Sequence, residues 1–297
     1  MKFRFATYDV FTETRFAGNP LAVVFEADAL NDTQMQAIAR EFNLSETIFI
    51  RTSADTHYTA SVRIFTPARE LPFAGHPTIG GAIAVAEDRH GRSAPRDLLL
   101  VLEEKVGPVR CGVRIATDGA SFAEFSVPQL ATPFADDPSV DVAAQAVGVA
   151  PDDIGFDAHA PTRFTAGVPY TMIPVASLDV LARVNPTHNY SALGFDALFV
   201  YARAERDAPH AFRARMFAPE IGIVEDPATG SAAAAFAGVA ARFEDLPDGW
   251  NTLPILQGVE MGRPSLIGLE VNIEGGGLAG ARIAGKAVKV TEGTIEI

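Results

Sequence analysis

The sequence predicts a protein of two similar halves, in each of which strands lead into a buried helix. The prediction rests on a motif that occurs twice along the chain. FTP at 65–67 is followed by FAGHPT at 73–78, and FAP at 217–219 is followed by EDPATGS at 225–231. Each copy then runs into an apolar segment of small residues, a pattern typical of a buried helix. We therefore expect one such helix in each half.

A second motif precedes each copy of the first. RFAGNP at 15–20 leads into the apolar segment LAVVF, and RFTAGVP at 163–169 leads into YTMIPV. Arg15 lies 50 residues before Phe65, and Arg163 lies 54 residues before Phe217. Two motifs in the same order at nearly the same spacing indicate a duplicated unit. Two copies are too few for a solenoid and favour two halves related by a pseudo-twofold axis.

The second buried helix is predicted to begin at Thr229, Gly230 and Ser231. The segment that follows is rich in alanine, which is the best helix former. The start of a helix leaves backbone N–H groups unpaired and carries the positive end of the helix dipole, and glycine lets a ligand approach the backbone closely. These features predict an anion site, with the carboxylate of Asp226 beside it.

The other elements follow from local patterns along the chain. In the first half, strands are predicted at 2–9, 21–25, 47–50 and 58–65, and Asn31 with Gln34 predicts a capped helix that continues to residue 42. Later elements are predicted as strands at 98–101, 109–115, 122–127, 266–273 and 281–290 and a helix at 136–150. A turn near 117–120 is the predicted boundary between the halves.

Composition narrows the class of protein. The 297 residues are 48% hydrophobic, enough for sizeable cores, and the net charge of −13 argues against a nucleic-acid partner or an anionic membrane surface. The single cysteine, Cys111, excludes an internal disulfide and a cysteine-cluster metal site. The N-terminal segment is too polar for a signal peptide, and no apolar run reaches the roughly 18 to 20 residues of a membrane helix. We expect a soluble cytoplasmic protein.

Several polar residues are candidates for chemistry, and each also has a structural interpretation. Glu46 lies between a predicted helix and an apolar strand, where it is either a solvated turn or cap residue or a general acid/base whose pKa burial would raise. Pro77 suits the first helical position, which places His76 at the N-cap; His76 is either structural or at the mouth of a site. Asp226 could simply begin a turn, and Ser231 could simply cap its helix.

Two other patterns are predicted to be structural. GGGLAG at 275–280 matches a dinucleotide-binding pattern, but the residues after it predict a strand, so a glycine hairpin is expected. The remaining histidines have no spacing typical of a ligand set and are predicted to be structural or exposed: His57, His90, His159, His188 and His210.

Three segments together resemble the signatures of the PhzF family, the phenazine-biosynthesis-like branch of the diaminopimelate epimerase fold. They are NLSET at 43–47, ELPFAGHPT at 70–78 and EDPATGSA at 225–232. The segments at 9–24, 257–265 and 285–295 are also similar to that family, so the resemblance covers essentially the whole chain.

The resemblance implies an α+β, diaminopimelate epimerase-like fold with two pseudo-twofold-related halves, each a curved sheet wrapped around a central helix. It places the active site in the cleft between the halves. The expected halves are 1–118, completed by a returning strand within 283–297, and 119–282. The resemblance also implies a homodimer and no cofactor.

The resemblance assigns roles to residues that match the family's motifs. Glu46 corresponds to the proton-shuttling glutamate, and His76 and Asp226 are the other expected catalytic residues. The expected substrate-binding residues are Asn19, Gly75, Thr229, Gly230 and Ser231. No metal ligand is expected.

Epimerases of this fold use a cysteine on each face of the substrate carbon. Ala74 and Thr229 stand at the corresponding positions, and Cys111 lies in neither motif. Because neither replacement can act as a thiolate, two-cysteine epimerisation is not expected. The predicted function is a cofactor-independent isomerase that moves a proton within a small carboxylate-bearing substrate, similar to trans-2,3-dihydro-3-hydroxyanthranilate, through Glu46. The alternatives are an idle small-molecule binding or regulatory protein, or an epimerase or lyase-like enzyme of the same fold.

Overall fold

The structure, a computed structural model, describes residues 1–186, 197–219 and 223–297. The chain divides into two compact units: unit 1 is Met1–Pro128 with Ala284–Ile297, and unit 2 is Gln129–Ile283. The strands are β1 (Lys2–Val10), β2 (Asn19–Val24), β3 (Glu46–Arg51), β4 (Ala60–Phe65), β5 (Glu70–Leu71), β6 (Arg96–Glu104), β7 (Gly107–Ile115), β8 (Ser121–Ser126), β9 (Thr132–Pro133), β10 (Thr162–Thr165), β11 (Pro169–Pro174), β12 (Ala197–Arg203), β13 (Phe212–Ala218), β14 (Ile223–Asp226), β15 (Gly249–Thr252), β16 (Ile255–Gln257), β17 (Ser265–Glu274) and β18 (Gly277–Glu296). The helices are α1 (Asp32–Phe42), α2 (Gly75–His90), α3 (Val140–Val147), α4 (Leu178–Arg183) and α5 (Gly230–Phe243).

Helix α2 is the centre of unit 1. It is buried from Gly75 to Glu87 and packs on β1, β2, β3, β6, β7 and β8. Two glycines let its backbone approach the sheet. A Cβ on Gly80 would lie 2.5 Å from Leu21 Cδ2, and one on Gly81 would lie 2.6 Å from Ile48 Cδ1. Only glycine fits there without displacing β2 or β3 side chains, so these positions fix the distance between helix and sheet.

Helix α5 has the same position in unit 2. It is buried from Ala232 to Ala240 and packs on β9, β10, β11 and β17. Gly238 marks the close approach, because a Cβ there would lie 2.4 Å from Phe164 Cδ1. The predicted α+β fold, in which a sheet surrounds a central helix, is therefore confirmed in both units.

The predicted duplication is visible in the order and direction of strand pairing inside each unit. Unit 1 pairs β1–β2 antiparallel, β2–β3 parallel, β3–β4 antiparallel, β4–β5 antiparallel, β4–β6 parallel and β6–β7 antiparallel. Unit 2 repeats that sequence with β10–β11, β11–β12, β12–β13, β13–β14, β13–β16 and β16–β17. The small helices α1 and α4 precede the second parallel strand in the two copies, and α2 and α5 follow the short hairpin.

Each unit also contains a largely buried arginine–glutamate pair at the same register. Arg63 donates from Nε and Nη2 to the Glu70 carboxylate at 2.6 and 2.7 Å, and Arg215 donates to Glu225 at 2.8 and 2.9 Å. In each pair, the arginine and the glutamate directly precede two residues that pair across the strands. These residues are Ile64 and Leu71 in unit 1, and Met216 and Asp226 in unit 2. We call these pairs the arginine clamps, because each joins the two strands that lead into a central helix.

The observed ends of several elements differ from the sequence-based ones. The helix expected at 136–150 is shorter, Val140–Val147, because Ser139 caps its start by accepting from Val142 N–H and Gly148 ends it at φ 71°. The glycine hairpin is confirmed, with Gly275 and Gly276 at positive φ between β17 and β18. The predicted boundary at 118/119 precedes β8, which lies in unit 1.

Candidate functional site

In unit 1 the structure brings Glu46 and His76 together. Glu46 is the first residue of β3, and His76 lies in the first turn of α2, which packs on β3. Glu46 Oε2 lies 3.3 Å from His76 Nδ1, and the two side chains are only 13% and 5% exposed. The contact is therefore a nearly dry carboxyl–imidazole pair held by a strand and a helix.

The imidazole of this pair is uncharged at neutral pH. Burial lowers the pKa of His76 to about 3, and the hydrogen bond to the backbone of Pro20, which by itself raises the pKa, is too weak to offset burial. The contact with Glu46 is consequently not an ion pair. The neutral imidazole packs against the carboxyl group at 3.3 Å, and it does not accept the proton that Glu46 takes up.

The predicted N-cap position of His76 is wrong. Helix α2 begins at Gly75, with Ala74 as the N-cap, and Thr78 N–H donates to Ala74 O at 3.1 Å. Pro77 is thus the third helical residue. Proline is tolerated there because the first four N–H groups of a helix have no intrahelical partner. His76 accordingly lies inside the first turn, where its side chain is buried.

The other two candidates of unit 1 lie next to this pair along the chain or on the neighbouring strand. Asn19 is the first residue of β2, is fully buried and stands opposite Val10 of β1. Pro20, which follows it, hydrogen bonds His76. Gly75 is the residue before His76 and is buried.

In unit 2 the structure brings Asp226 and Thr229 together at the start of α5. Thr229 is the N-cap residue, and its hydroxyl donates to Asp226 Oδ2 at 2.6 Å. Its backbone N–H donates to Gln257 Oε1 at 3.1 Å. Both hydrogen-bond donors of Thr229 are therefore used to fix the turn that carries Asp226, and Gly230 and Ser231 follow as the first helical residues.

Gln257 was missed as a site residue by sequence reasoning from residue types. It is fully buried at the end of β16, and its Nε2 donates to Asp226 O at 2.7 Å and to Thr229 Oγ1 at 3.0 Å. The sequence feature that could have indicated Gln257 is a polar residue that follows the apolar Ile255-Leu256 and precedes a glycine. That glycine, Gly258, has φ 76°, and a Cβ on it would lie 2.6 Å from Pro227 O.

Ser231 does not cap α5, because Thr229 holds the N-cap position. The Ser231 hydroxyl instead lies 2.7 Å from the hydroxyl of Tyr170 on β11, a side chain that is 2% exposed. A helix start leaves its first amides without intrahelical partners. The Tyr170 contact therefore ties the first turn of α5, which carries the amides of Gly230 and Ser231, to β11.

Replacing Gln257 with leucine should destabilise unit 2. The change leaves the buried Asp226 carbonyl and Thr229 N–H without their amide partner, at about 1–3 kcal/mol for each group. Gln36→Leu is the matched control, since the Gln36 amide also donates two hydrogen bonds, to the carbonyls of Thr66 and Pro67, but is only half-buried. Urea unfolding should show a clearly larger loss for Gln257→Leu. Equal losses would contradict the conclusion that burial determines how strongly the Gln257 hydrogen bonds stabilise the fold.

The other histidines that the structure describes are either exposed or held by structural contacts. His57 and His90 are exposed and His210 is half-buried, whereas His159 is buried between Tyr201 Oη at 2.9 Å and Glu244 Oε1 at 2.7 Å. His188 lies outside the described residues, as do 220–222 within the second motif stretch. In the described ranges, no group of three or more His, Cys, Asp or Glu side chains is arranged to hold a metal ion, and none of the helices there could cross a bilayer.

Comparison with known proteins finds matches that extend over nearly the whole chain. The family model described as phenazine biosynthesis-like protein matches residues 8–293. An isomerase of Mesorhizobium japonicum is 48% identical and covers 98% of this chain and 97% of its own. The trans-2,3-dihydro-3-hydroxyanthranilate isomerase of Pseudomonas chlororaphis is 36% identical, with 97% of each chain covered.

Solved structures agree on the fold. A PhzF family protein of Bacillus anthracis superposes with a TM-score of 0.86 at 26% identity, covering 100% of both chains. A hydroxyproline epimerase from Agrobacterium vitis superposes with a TM-score of 0.63 at 12% identity, covering 99% of this chain and 92% of that one, which is a likeness of fold alone. The isomerase class expected from the sequence is confirmed by the curated relatives. The chain belongs to the PhzF family of phenazine biosynthesis-like proteins.

Proposed function

We propose that the protein is a cofactor-independent isomerase that moves a proton within a small carboxylate-bearing substrate of the trans-2,3-dihydro-3-hydroxyanthranilate type. The observation that supports it most directly is the nearly dry contact of 3.3 Å between Glu46 and the imidazole of His76. Removing a proton from carbon leaves a delocalised anion, and a positioned carboxylate is a suitable base for that step. Glu46 then returns the proton at another carbon of the same molecule.

His76 packs against the carboxyl group of Glu46 and restricts its movement during both transfers. Its pKa of about 3 means that an imidazolium would be strongly disfavoured at neutral pH. The proton taken from the substrate therefore stays on Glu46 until it is returned. A single carrier of this kind explains how a proton can move between two carbons without loss to solvent at each turnover.

In unit 2, we propose that the amides of Gly230 and Ser231 bind an anionic group of the substrate. Backbone N–H groups at a helix N-terminus favour carboxylates through hydrogen bonds and the helix dipole. Asp226 orients polar substituents, and Thr229 holds the turn through its bonds to Asp226 and Gln257. In unit 1, Gly75 and Asn19 keep their expected substrate-binding roles as part of this proposal.

An epimerase with two thiol bases is the weaker candidate. Ala74 and Thr229, the residues at the cysteine positions, are the N-caps of the two central helices. The one thiol of the chain, Cys111, is fully buried on β7, and burial raises its pKa. It is therefore a neutral core side chain and not a base. The homodimer, the cytoplasmic location and the lack of a cofactor remain predictions from the sequence.

The proposal is tested by incubating the protein with trans-2,3-dihydro-3-hydroxyanthranilate in heavy water and following the carbon-bound hydrogens by NMR. We expect an isomerised product whose new C–H position carries less deuterium than free exchange with solvent would give. Binding of the compound without conversion would instead favour the small-molecule binding protein. Conversion with full deuterium incorporation would contradict a shielded single carrier.

A further inference from the structure

A second carboxyl group in unit 1, that of Glu104, is buried at the same end of α2 and has no role in the proposed reaction. It is the last residue of β6 and is 5% exposed. Its Oε1 lies 2.7 Å from the hydroxyl oxygen of Thr78, and among the described residues its Oε2 has no hydrogen-bond partner. A carboxyl group in such a position is costly to ionise.

The Thr78 hydroxyl has two oxygen neighbours but only one hydrogen. It lies 2.8 Å from the backbone oxygen of Ala74 and 2.7 Å from Glu104 Oε1. A carbonyl oxygen can only accept, so both contacts can be full hydrogen bonds only if the threonine hydrogen points to Ala74 O. The hydrogen of the contact between Thr78 and Glu104 must then come from Glu104, and only the un-ionised carboxylic acid carries one.

Among the described residues, no neighbouring charge favours the carboxylate form of Glu104. On β7 the ionisable side chain of the buried face is Cys111, whose thiol is neutral. On α2 the first turn carries His76, which is uncharged, and on β4 the charge of Arg63 is taken up by Glu70 and Asp32. Burial raises the pKa of Glu104 from 4.5 to about 8, even when the Thr78 hydroxyl is taken to donate to the carboxylate, an arrangement that by itself lowers the pKa.

We propose that Glu104 is a neutral carboxylic acid that donates to Thr78 and thereby positions the first turn of α2, which carries His76. The chain of contacts runs from Glu104 to Thr78 and on to Ala74, the N-cap residue of that helix. These contacts therefore join the first turn of α2 to the end of β6. Glu104 is thus a positioning residue that acts through the backbone next to His76.

The test compares Glu104→Gln with Glu104→Leu. A glutamine amide has the shape of the acid and also donates, so this variant should keep its stability and activity at neutral pH. Leucine cannot donate, and a shift of His76 by about 1 Å can cost roughly 100-fold in rate, so kcat should fall by about that factor with KM little changed. Thr78→Ser should resemble the wild type, and Thr78→Val should resemble Glu104→Leu.

Two readouts do not depend on turnover. Infrared spectra of the wild type at neutral pH should contain the band of an un-ionised carboxyl group that Glu104→Gln lacks. The free energy of unfolding should decline between pH 4.5 and about 8 relative to the glutamine variant, because there the unfolded chain releases this proton and the folded protein keeps it.

The positioning role rests on the proposed function, whereas the protonation state does not. If the protein converts no substrate, the infrared and unfolding measurements still decide whether Glu104 is neutral. Absence of the carboxyl band at neutral pH would overturn the proposal. So would a glutamine variant as impaired in kcat, or as destabilised, as the leucine variant.

Discussion

Replacing Glu46 with glutamine is expected to remove turnover while the fold and substrate binding stay in place. Glutamine has the size of glutamate and still reaches His76 Nδ1, which lies 3.3 Å from the carboxyl oxygen, but it cannot take up a proton. General acid–base catalysis is typically worth about 10²- to 10⁴-fold, so kcat should fall by at least about 100-fold. The measurement is conversion of trans-2,3-dihydro-3-hydroxyanthranilate by NMR, with substrate affinity measured separately by calorimetry.

Two further variants test whether the reaction depends on the position of the Glu46 carboxylate and not on the thiol of the chain. Glu46→Asp keeps the charge but withdraws the carboxylate, and 1 Å of displacement can cost roughly 100-fold. Cys111→Ala removes the only thiol of the chain and should leave the rate unchanged, since that thiol is buried on β7. Wild-type rates in Glu46→Gln, or an inactive but folded Cys111→Ala, would rule out a single glutamate carrier.

Breaking the arginine clamp of unit 2 should give the largest loss of stability. Arg215 is 8% exposed, makes two bonds to Glu225, and also donates to the carbonyls at the end of α4, those of Leu181, Ala182 and Val184. Arg215→Met leaves Glu225 charged and largely shielded from water. Removing one partner of a buried ion pair typically costs about 3–5 kcal/mol, which urea unfolding would detect.

Arg114→Met is the matched control for the clamp. Arg114 Nε lies 2.8 Å from Asp97 Oδ1, the same distance as between Arg215 Nε and Glu225 Oε1, but the side chains of Arg114 and Asp97 are 70% and 76% exposed. A surface pair contributes about 0–1 kcal/mol. A similar loss in both variants would show that the contact itself, and not its burial, determines the stabilisation.

Local patterns were enough to predict several parts of the fold. The capping box of Asn31 and Gln34 is present at the start of α1, and the alanine-rich helix begins at Gly230 as expected. The repeated motifs also predicted the duplication that the strand pairing displays. These features depend on neighbours along the chain or on a periodic pattern, both of which can be read without knowledge of the fold.

Other features depend on contacts between distant segments and could not be predicted. Gln257 meets Asp226 and Thr229 only because β16 pairs with β13. Glu104 meets Thr78 because β6 packs on α2. The register that forms the arginine clamps is likewise set by the sheet. The predicted N-cap position of His76 was wrong because proline only prefers the first helical position. The packing of α2 on β2 and β3 overrode that preference.

Strand β18 gives the chain an unusual order of folding events. Residues 287–296 of this strand pair with β1, from Lys2 opposite Glu296 to Val10 opposite Ala287. During synthesis on the ribosome, β1 is made before unit 2, whereas this partner is made only after all of unit 2. Unit 2 is a continuous segment and can form its core first. Until β18 arrives, β1 presents an unpaired strand edge, which is where a nascent chain is prone to aggregate.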